Sequence, residues 1–138
     1  MGLKIFWDTN LFIYLIEQTP KFHDQVVELR RAMLARGDIL ITSTLTLAEL
    51  LVQPLRSGNR ELADRYRGIF LSGTLILVNL DPLVAERVAE IRARYPVRTP
   101  DAIQLASASL HRADQFYTSD QGLWGNRIEG IGEIIGLK

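Results

Sequence analysis

Short runs of apolar residues alternate with longer amphipathic segments along the whole chain. The short runs have the length and composition of buried strands, whereas the apolar residues of the longer segments recur at the spacing of a helix. Strands and helices that alternate in this way are typical of βα units, in which helices cover both faces of a parallel sheet. We therefore predict an α/β fold with a central parallel β-sheet of four to five strands flanked by helices.

The predicted boundaries follow from this pattern and from local start and stop signals. We expect Asn10 to cap the first helix and Pro54 to kink or end the third. Asp81–Pro82 and Thr99–Pro100 each place a proline at the start of a predicted helix, directly after a capping residue. The predicted strands are Leu3–Asp8, Ile39–Thr42, Leu75–Leu80, Gln115–Ser119 and a short one near Ile134–Ile135, and the predicted helices are Leu11–Glu17, Phe22–Arg36, one from about Leu47, Arg60–Phe70, one from Pro82 and one from Thr99 to about Ala113.

The composition is that of an ordinary globular protein. The chain has 138 residues, of which 47% are hydrophobic and 23% charged, and this suffices for one domain, predicted over 1–138, with a substantial core. It has no cysteine, which excludes disulfides and thiolate metal ligands and fits a cytoplasmic location. We find neither a basic-plus-apolar signal pattern nor an apolar run of about 18 residues, so we expect no membrane association.

The formal net charge is zero, from 16 basic and 16 acidic residues, which disfavours a strongly basic nucleic-acid module. Of the basic residues, 13 are arginines and only three are lysines. Arginine is the better fork-shaped donor to phosphate and carboxylate groups. If four acids shared one site, the rest of the surface would carry a net charge of +4, which is compatible with a mildly basic surface around an acidic pocket.

Four acidic residues stand where a parallel sheet gathers side chains. Asp8 and Asp120 lie at the carboxyl ends of the first and fourth predicted strands, and Glu49 and Asp101 lie in the first turns of predicted helices. The carboxyl ends of parallel strands, and the starts of the helices that follow them, meet at one rim of the sheet, where such folds bind ligands. The helix that carries Asp101 reaches this rim only if the preceding helix and loop return the chain to it. On that assumption, the four carboxylates converge.

Converging carboxylates without basic neighbours in sequence cannot all stay ionised unless a cation neutralises them. Hard oxygen ligands favour Mg²⁺ or Mn²⁺. One or two such ions can activate a water molecule and stabilise the leaving oxygen during phosphodiester hydrolysis. The pattern therefore indicates a metal-dependent nuclease.

Each acid also has a purely structural interpretation. Glu49 could complete a capping box with Thr46, and Asp101 could complement the dipole of its helix. Asp120 could make a turn, and Asp8 could cap the first helix. Taken singly, these interpretations are at least as strong as the catalytic one. Taken together, they leave unexplained why an acid follows the first, second and fourth strands.

Four stretches, in this order, carry a resemblance to a known family: Asp8–Asn10 (DTN), Ser43–Glu49 (STLTLAE), Thr99–Ala106 (TPDAIQLA) and Thr118–Asp120 (TSD). Together they resemble the PIN-domain ribonucleases. The chain length and the apolar helix behind Asp8–Asn10 are most similar to the toxins of VapBC-type toxin–antitoxin pairs. The likeness spans nearly the whole chain.

The resemblance implies a single PIN-like, Rossmann-like domain and a hydrolase, namely an endoribonuclease that depends on Mg²⁺ or Mn²⁺ and cuts RNA. It implies a type II toxin–antitoxin system, with a cognate antitoxin protein as partner and a homodimer as the assembly. By the same likeness, the core metal ligands would be Asp8, Glu49 and Asp101, with Asp120 completing the set. The supporting polar residues, which would hold waters, substrate or the carboxylates, would be Thr9, Asn10, Thr118 and Ser119.

Two further features are candidate contacts. Arg98, directly before the Thr99–Ala106 stretch, could contact a phosphate of the substrate or pair with an acid. Leu11–Ile16 is apolar on every face of its predicted helix, which is typical of a helix that is covered on all sides. We predict a partner interface there, and a central helix in the chain's own core is the alternative. The predicted interface residues are Leu11, Phe12, Tyr14 and Leu15.

Two other functions are compatible with parts of the pattern. A receiver-like phosphoacceptor domain also gathers acids at strand ends, but it needs a lysine near the last strand, and none lies between Lys21 and Lys138. A non-catalytic partner-binding module would use the apolar helix without any metal.

Overall fold

Strands and helices alternate along residues 2–138, which are the residues that the computed structural model describes. Met1, the first residue of the predicted domain, lies outside the described residues. Within them, no helix has the length and apolar character needed to cross a membrane. The strands are β1 (Lys4–Trp7), β2 (Ile39–Ser43), β3 (Ile76–Val78), β4 (Gln115–Thr118) and β5 (Glu133–Gly136), and the helices are α1 (Thr9–Ile16), α2 (His23–Arg36), α3 (Thr44–Ser57), α4 (Arg60–Leu71), α5 (Pro82–Arg94) and α6 (Thr99–Leu110), with a 3₁₀ turn at Gln121–Leu123.

The five strands form one parallel sheet in the order β3-β2-β1-β4-β5, which confirms the predicted α/β fold. β1 lies in the centre, where Phe6 aligns with Ile41 of β2 on one side and with Phe116 of β4 on the other. The chain builds outward from β1 to β3 and then returns to add β4 and β5 beyond β1. The strand order therefore reverses between β1 and β4, and open α/β sheets form their ligand crevice at such a point.

Alternate residues of β1 enter two cores, one on each face of the sheet, because successive side chains of a strand point to opposite faces. Ile5 and Trp7 belong to the core that is covered by α1–α4. Phe6 belongs to the core that is covered by α5 and α6, and its ring stacks on Phe116 with centroids 5.0 Å apart. Burial on both faces explains why this strand is apolar at consecutive positions rather than at alternate ones.

Some predicted boundaries were wrong. The predicted kink or end at Pro54 is absent, and α3 runs through this residue to Ser57 and ends at Gly58 in the left-handed conformation (φ 72°). A proline this close to the end removes little of the helix's hydrogen bonding. Asn10 does not cap α1; Asp8 does, by accepting a hydrogen bond from the Thr9 N–H (2.8 Å).

Gly136 of β5 lies against the indole of Trp124, where an added Cβ would stand 1.9 Å from Trp124 Cε2. We expect Gly136→Ala to lower the free energy of unfolding by roughly 1–3 kcal/mol, because the ring must move out of its site. Gly68→Ala is the matched control, since an added Cβ on this residue of α4 meets nothing within 4 Å. The control should stabilise the protein by about 0.5–1 kcal/mol. Thermal unfolding measures both, and an unchanged Gly136→Ala variant would contradict the steric argument.

Candidate active site

An acidic cleft of about 330 Å³ lies at the carboxyl rim of the sheet, beyond the ends of β1 and β4. All four predicted acids line it, and so the helix that carries Asp101 does begin at this rim. The cleft thus occupies the point where the strand order reverses. Its lining residues are Asp8, Thr9, Asn10, Ile13, Glu49, Pro100, Asp101, Gln104 and Asp120.

Asp8 is fixed at the rim by hydrogen bonds to both its backbone and its side chain. Its N–H donates to the Tyr117 carbonyl (3.0 Å), which ties it to β4. Its Oδ1 accepts from the Thr9 N–H (2.8 Å) and its Oδ2 from Thr118 Oγ1 (2.8 Å). Burial raises the pKa of Asp8 above its ordinary value, and the bonds from Thr118 and Thr9 oppose that rise. The carboxylate therefore has a defined orientation before any ligand arrives.

Glu49 lies in the second turn of α3 rather than the first, because the helix begins at Thr44. Ser43 caps this helix by accepting from the Thr46 N–H (3.4 Å), so the capping-box interpretation of Thr46 and Glu49 is wrong. The Glu49 Oε1 instead accepts from Thr9 Oγ1 (2.5 Å) at the cleft.

Asp101 is the third residue of α6 and experiences the charges of the other acids. Burial, followed by the negative charges of Asp120, Asp8 and Glu49, raises the pKa of Asp101 to about 6, and the charge of Arg98 partly opposes this rise. Because charge effects of this kind act over short distances, the other three carboxylates lie close enough to Asp101 to disfavour its ionisation.

Asp120 lines the cleft and also makes the turn that its sequence context predicts. Its Oδ1 accepts from the Gly122 N–H (2.9 Å) and caps the 3₁₀ turn at Gln121–Leu123. Its own N–H donates to Thr118 Oγ1 (2.9 Å), the same hydroxyl that donates to Asp8. The structural and the chemical interpretations of this acid are therefore compatible.

The other predicted polar residues also meet at this edge. Asn10 Nδ2 and the Tyr14 hydroxyl both donate to Ser119 Oγ, at 2.9 and 3.0 Å. The hydroxyl of Tyr14, a residue of the predicted partner interface, is therefore directed towards the site.

Gln104 is a buried residue of the site that sequence reasoning missed. It is 2% exposed, and its Nε2 donates to Thr46 Oγ1 (2.8 Å) and, at 3.4 Å, to both Asp8 Oδ1 and Thr9 Oγ1. Its Oε1 accepts from the Ser43 hydroxyl. The available signal was a lone amide among small apolar residues, three positions after Asp101 and therefore on the same helix face.

The predicted partner interface on α1 needs correction. Leu11 and Phe12 are 0% and 2% exposed and lie in the chain's own core, where the Phe12 ring meets Trp7 edge-on with centroids 5.2 Å apart. These two side chains cannot face a partner. Tyr14 and Leu15 are partly buried against the same core.

Arg98 is exposed at the residue before α6. Its charge lowers the pKa of Asp101, which places it on the side of the cleft where α6 begins. Among the described residues, neither Arg98 nor any other basic side chain forms a salt bridge with the four acids.

The donors of the cleft fit a hard divalent cation. Within residues 2–138, no group of three or more histidine, aspartate or glutamate side chains already stands in a metal-binding arrangement. The cleft nevertheless offers four carboxylates, no nitrogen or sulfur ligand and no salt bridge to a basic side chain. This is the ligand chemistry that Mg²⁺ and Mn²⁺ prefer.

Fold and site together define an α/β protein with a carboxylate-lined cleft where the strand order of a parallel sheet reverses. A sequence model of the PIN domain family matches residues 5–124, and the chain belongs to this family. PIN-domain proteins are generally nucleases. The family assignment replaces the receiver-like interpretation. No curated protein matches the chain.

Solved structures from toxin–antitoxin systems have a similar fold. VapBC2 from Rickettsia felis, bound to a DNA fragment from its promoter, has a TM-score of 0.73 at 20% identity, over 99% of this chain and 100% of that chain. A toxin–antitoxin complex from Klebsiella pneumoniae has a TM-score of 0.66 at 28% identity, over 92% and 94%. VapC20 from Mycobacterium tuberculosis, a toxin that cleaves the sarcin–ricin loop, has a TM-score of 0.69 at 20% identity, over 85% and 90%.

Proposed function

We propose that the chain is a Mg²⁺- or Mn²⁺-dependent endoribonuclease and the toxin of a type II toxin–antitoxin pair. The observation that carries this proposal is the convergence of four carboxylates in the cleft of a PIN-family chain. Similarity to VapBC2 and to the Klebsiella complex supports the toxin assignment, and similarity to VapC20 supports RNA as the substrate.

For this activity, Asp8, Glu49 and Asp101 would hold the cation and Asp120 would complete the set. When bound, the cation would polarise the scissile phosphate and lower the pKa of an attacking water. The chain's contribution is to present carboxylates that are already oriented. Thr118 and Thr9 fix the two oxygens of Asp8, and Thr9 also fixes Glu49 through its hydroxyl. Oriented ligands lower the reorganisation that the reaction requires.

A cognate antitoxin, a homodimer and a cytoplasmic location are part of the proposal. Surface for such partners exists away from Leu11 and Phe12. The large apolar side chains most exposed among the described residues lie on other helices or next to them, namely Leu71 (81%), Leu83 (68%), Leu34 (64%) and Leu55 (58%).

Cleavage of single-stranded RNA by the purified protein tests the proposal. We expect cleavage with Mn²⁺ or Mg²⁺, none with excess EDTA, and recovery when Mn²⁺ is restored. Asp8→Asn, purified in parallel, is the control for contaminating ribonuclease and should be inactive. Cleavage that persists in EDTA or in this variant would contradict the proposal. A chain that neither cuts RNA nor binds Mn²⁺ would be the non-catalytic partner-binding module instead.

A further inference from the structure

A strip of polar, aromatic and basic side chains leads away from one edge of the cleft. We call it the aromatic strip, and it consists of Asn10, Ser119, Tyr14, Phe22 and Lys21. Asn10 lines the cleft and donates to Ser119, and Ser119 also accepts from the Tyr14 hydroxyl. The Tyr14 ring packs on Phe22 with centroids 4.7 Å apart, and Lys21 Nζ lies 5.0 Å from the Phe22 centroid.

The inner end of the strip has unused hydrogen-bond donors. Ser119 Oγ accepts two hydrogen bonds, and within the described part of the chain its own hydroxyl hydrogen has no acceptor. The Asn10 amide carries two hydrogens and uses one of them on Ser119. The carboxylates of the cleft repel phosphate, whereas these hydrogen-bond donors attract it. The donors can therefore bind a phosphate oxygen at the edge of the acidic cleft.

The outer end of the strip combines fixed aromatic rings with a cation. Tyr14 is held at its hydroxyl by Ser119 and at its carbonyl by a contact with His23 Nδ1 (3.0 Å). Phe22 and Tyr14 are half-buried, whereas Lys21 is exposed. Single-stranded nucleic acid is bound by aromatic side chains that stack on unpaired bases and by cations that follow the backbone.

We propose, on the basis of the proposed function, that the aromatic strip binds the nucleotides of single-stranded RNA next to the scissile phosphate. Ser119 and Asn10 contact the adjacent phosphate, an unpaired base stacks on the Phe22 and Tyr14 pair, and Lys21 contacts a phosphate beyond it. Arg98 lies at the α6 side of the cleft and supplies a cation there. The RNA strand then crosses the acidic cleft, with Lys21 on the side of the strip and Arg98 on the side of α6.

Binding of a fluorescent single-stranded RNA oligonucleotide tests this inference, with Asp101→Asn present in every protein to prevent cleavage. Adding Lys21→Ala should weaken binding and reduce the slope of log K against log salt by about 0.7, the value for one lost phosphate contact. Adding Phe22→Leu keeps an apolar side chain but removes the stacking ring, and should weaken binding about five-fold or more. Lys4→Ala is the matched control, because this exposed lysine lies at the amino end of β1, away from the rim.

The outcomes separate this inference from the proposed function. If the unmodified chain cuts RNA with Mn²⁺ while Lys21→Ala and Phe22→Leu bind RNA as tightly as their background, the strip is not an RNA subsite and the nuclease assignment stands. If the unmodified chain neither binds nor cuts RNA, both fail. Lys21→Ala decides the result alone if Phe22→Leu unfolds, because an exposed lysine contributes little to the core. Equal weakening by Lys4→Ala would mean general charge attraction and would also overturn the inference.

Discussion

Replacing Asp101 by asparagine is expected to abolish RNA cleavage and, at the same time, to stabilise the metal-free protein at neutral pH. The loss in kcat/KM should be at least about 100-fold, because the substitution removes a carboxylate from the cation site and weakens transition-state stabilisation. The free energy of unfolding should instead rise. Asp101 is ionised at neutral pH although burial and three neighbouring acids disfavour its charge, and asparagine removes this charge. A substitution that damaged the fold would lower both quantities.

The stabilisation should depend on pH in a defined direction. The pKa of Asp101 is about 6 in the folded chain, against 3.8 as the ordinary value. The folded state therefore binds more protons than the unfolded state between these two pH values, so the contribution of this group to stability falls as pH rises through about 6. The difference in unfolding free energy between Asp101→Asn and the unmodified chain should be largest and constant above that pH, and should shrink as pH falls through it.

Thermal unfolding in EDTA across this pH range measures the effect, and Asp81→Asn is the matched control. Asp81 is exposed, caps α5 by accepting from the Val84 N–H (2.9 Å), and lies outside the cleft. Asparagine caps a helix about as well as aspartate, so the control should change neither cleavage nor stability much. Addition of Mn²⁺ should raise the melting temperature of the control and of the unmodified chain more than that of Asp101→Asn. A pH-independent stability difference would mean that burial and the other acids do not raise the pKa of Asp101.

The sequence predicted the fold because its central strands are short apolar runs, and each of the first three strands is followed by a helix. Asp8 illustrates how far such reasoning reaches. Its place at the end of an apolar run, in a parallel sheet, was enough to put it at the ligand-binding rim with Asp120, whereas the prediction for Asp101 also needed an assumed return of the chain to that rim. The α/β sheet and the five strands follow from periodicities that can be read locally.

What the sequence did not predict depends on contacts between distant residues. Gln104 lies 96 positions from Asp8. Its spacing from Asp101 puts it on the same helix face as that acid, but it does not indicate that the amide faces Asp8. The prediction of a partner interface on α1 was wrong for a similar reason. Its composition predicts a covered helix, but whether the cover is a partner or the chain's own α2, α3 and α4 is decided by tertiary packing, which here buries Leu11 and Phe12 internally.

Gln104→Leu should weaken both the fold and the binding of Mn²⁺. Leucine fills a similar volume but offers no donor to Asp8, Thr9 or Thr46 and no acceptor to Ser43. Buried polar groups that lose their partners cost about 1–3 kcal/mol of unfolding free energy. Residues that hydrogen-bond to a metal ligand, and so orient it, typically contribute about 10- to 100-fold to metal affinity. We therefore expect Mn²⁺ affinity, measured by calorimetry on folded protein, to fall by at least about 10-fold.

Ser107→Ala separates positioning from simple loss of stability. Ser107 is buried one turn further along α6, and its hydroxyl donates only to the Ile103 carbonyl of the same helix (2.7 Å). This variant should leave Mn²⁺ affinity unchanged even if its melting temperature falls.

Gln104→Glu is the second comparison. It keeps an oxygen for Ser43 but places a carboxyl oxygen against Asp8. The folded protein should therefore lose stability as pH rises and the new group ionises. If Gln104→Leu bound Mn²⁺ as tightly as Ser107→Ala, Gln104 would support only the packing of α6, and the orientation of Asp8 would rest on Thr9 and Thr118 alone.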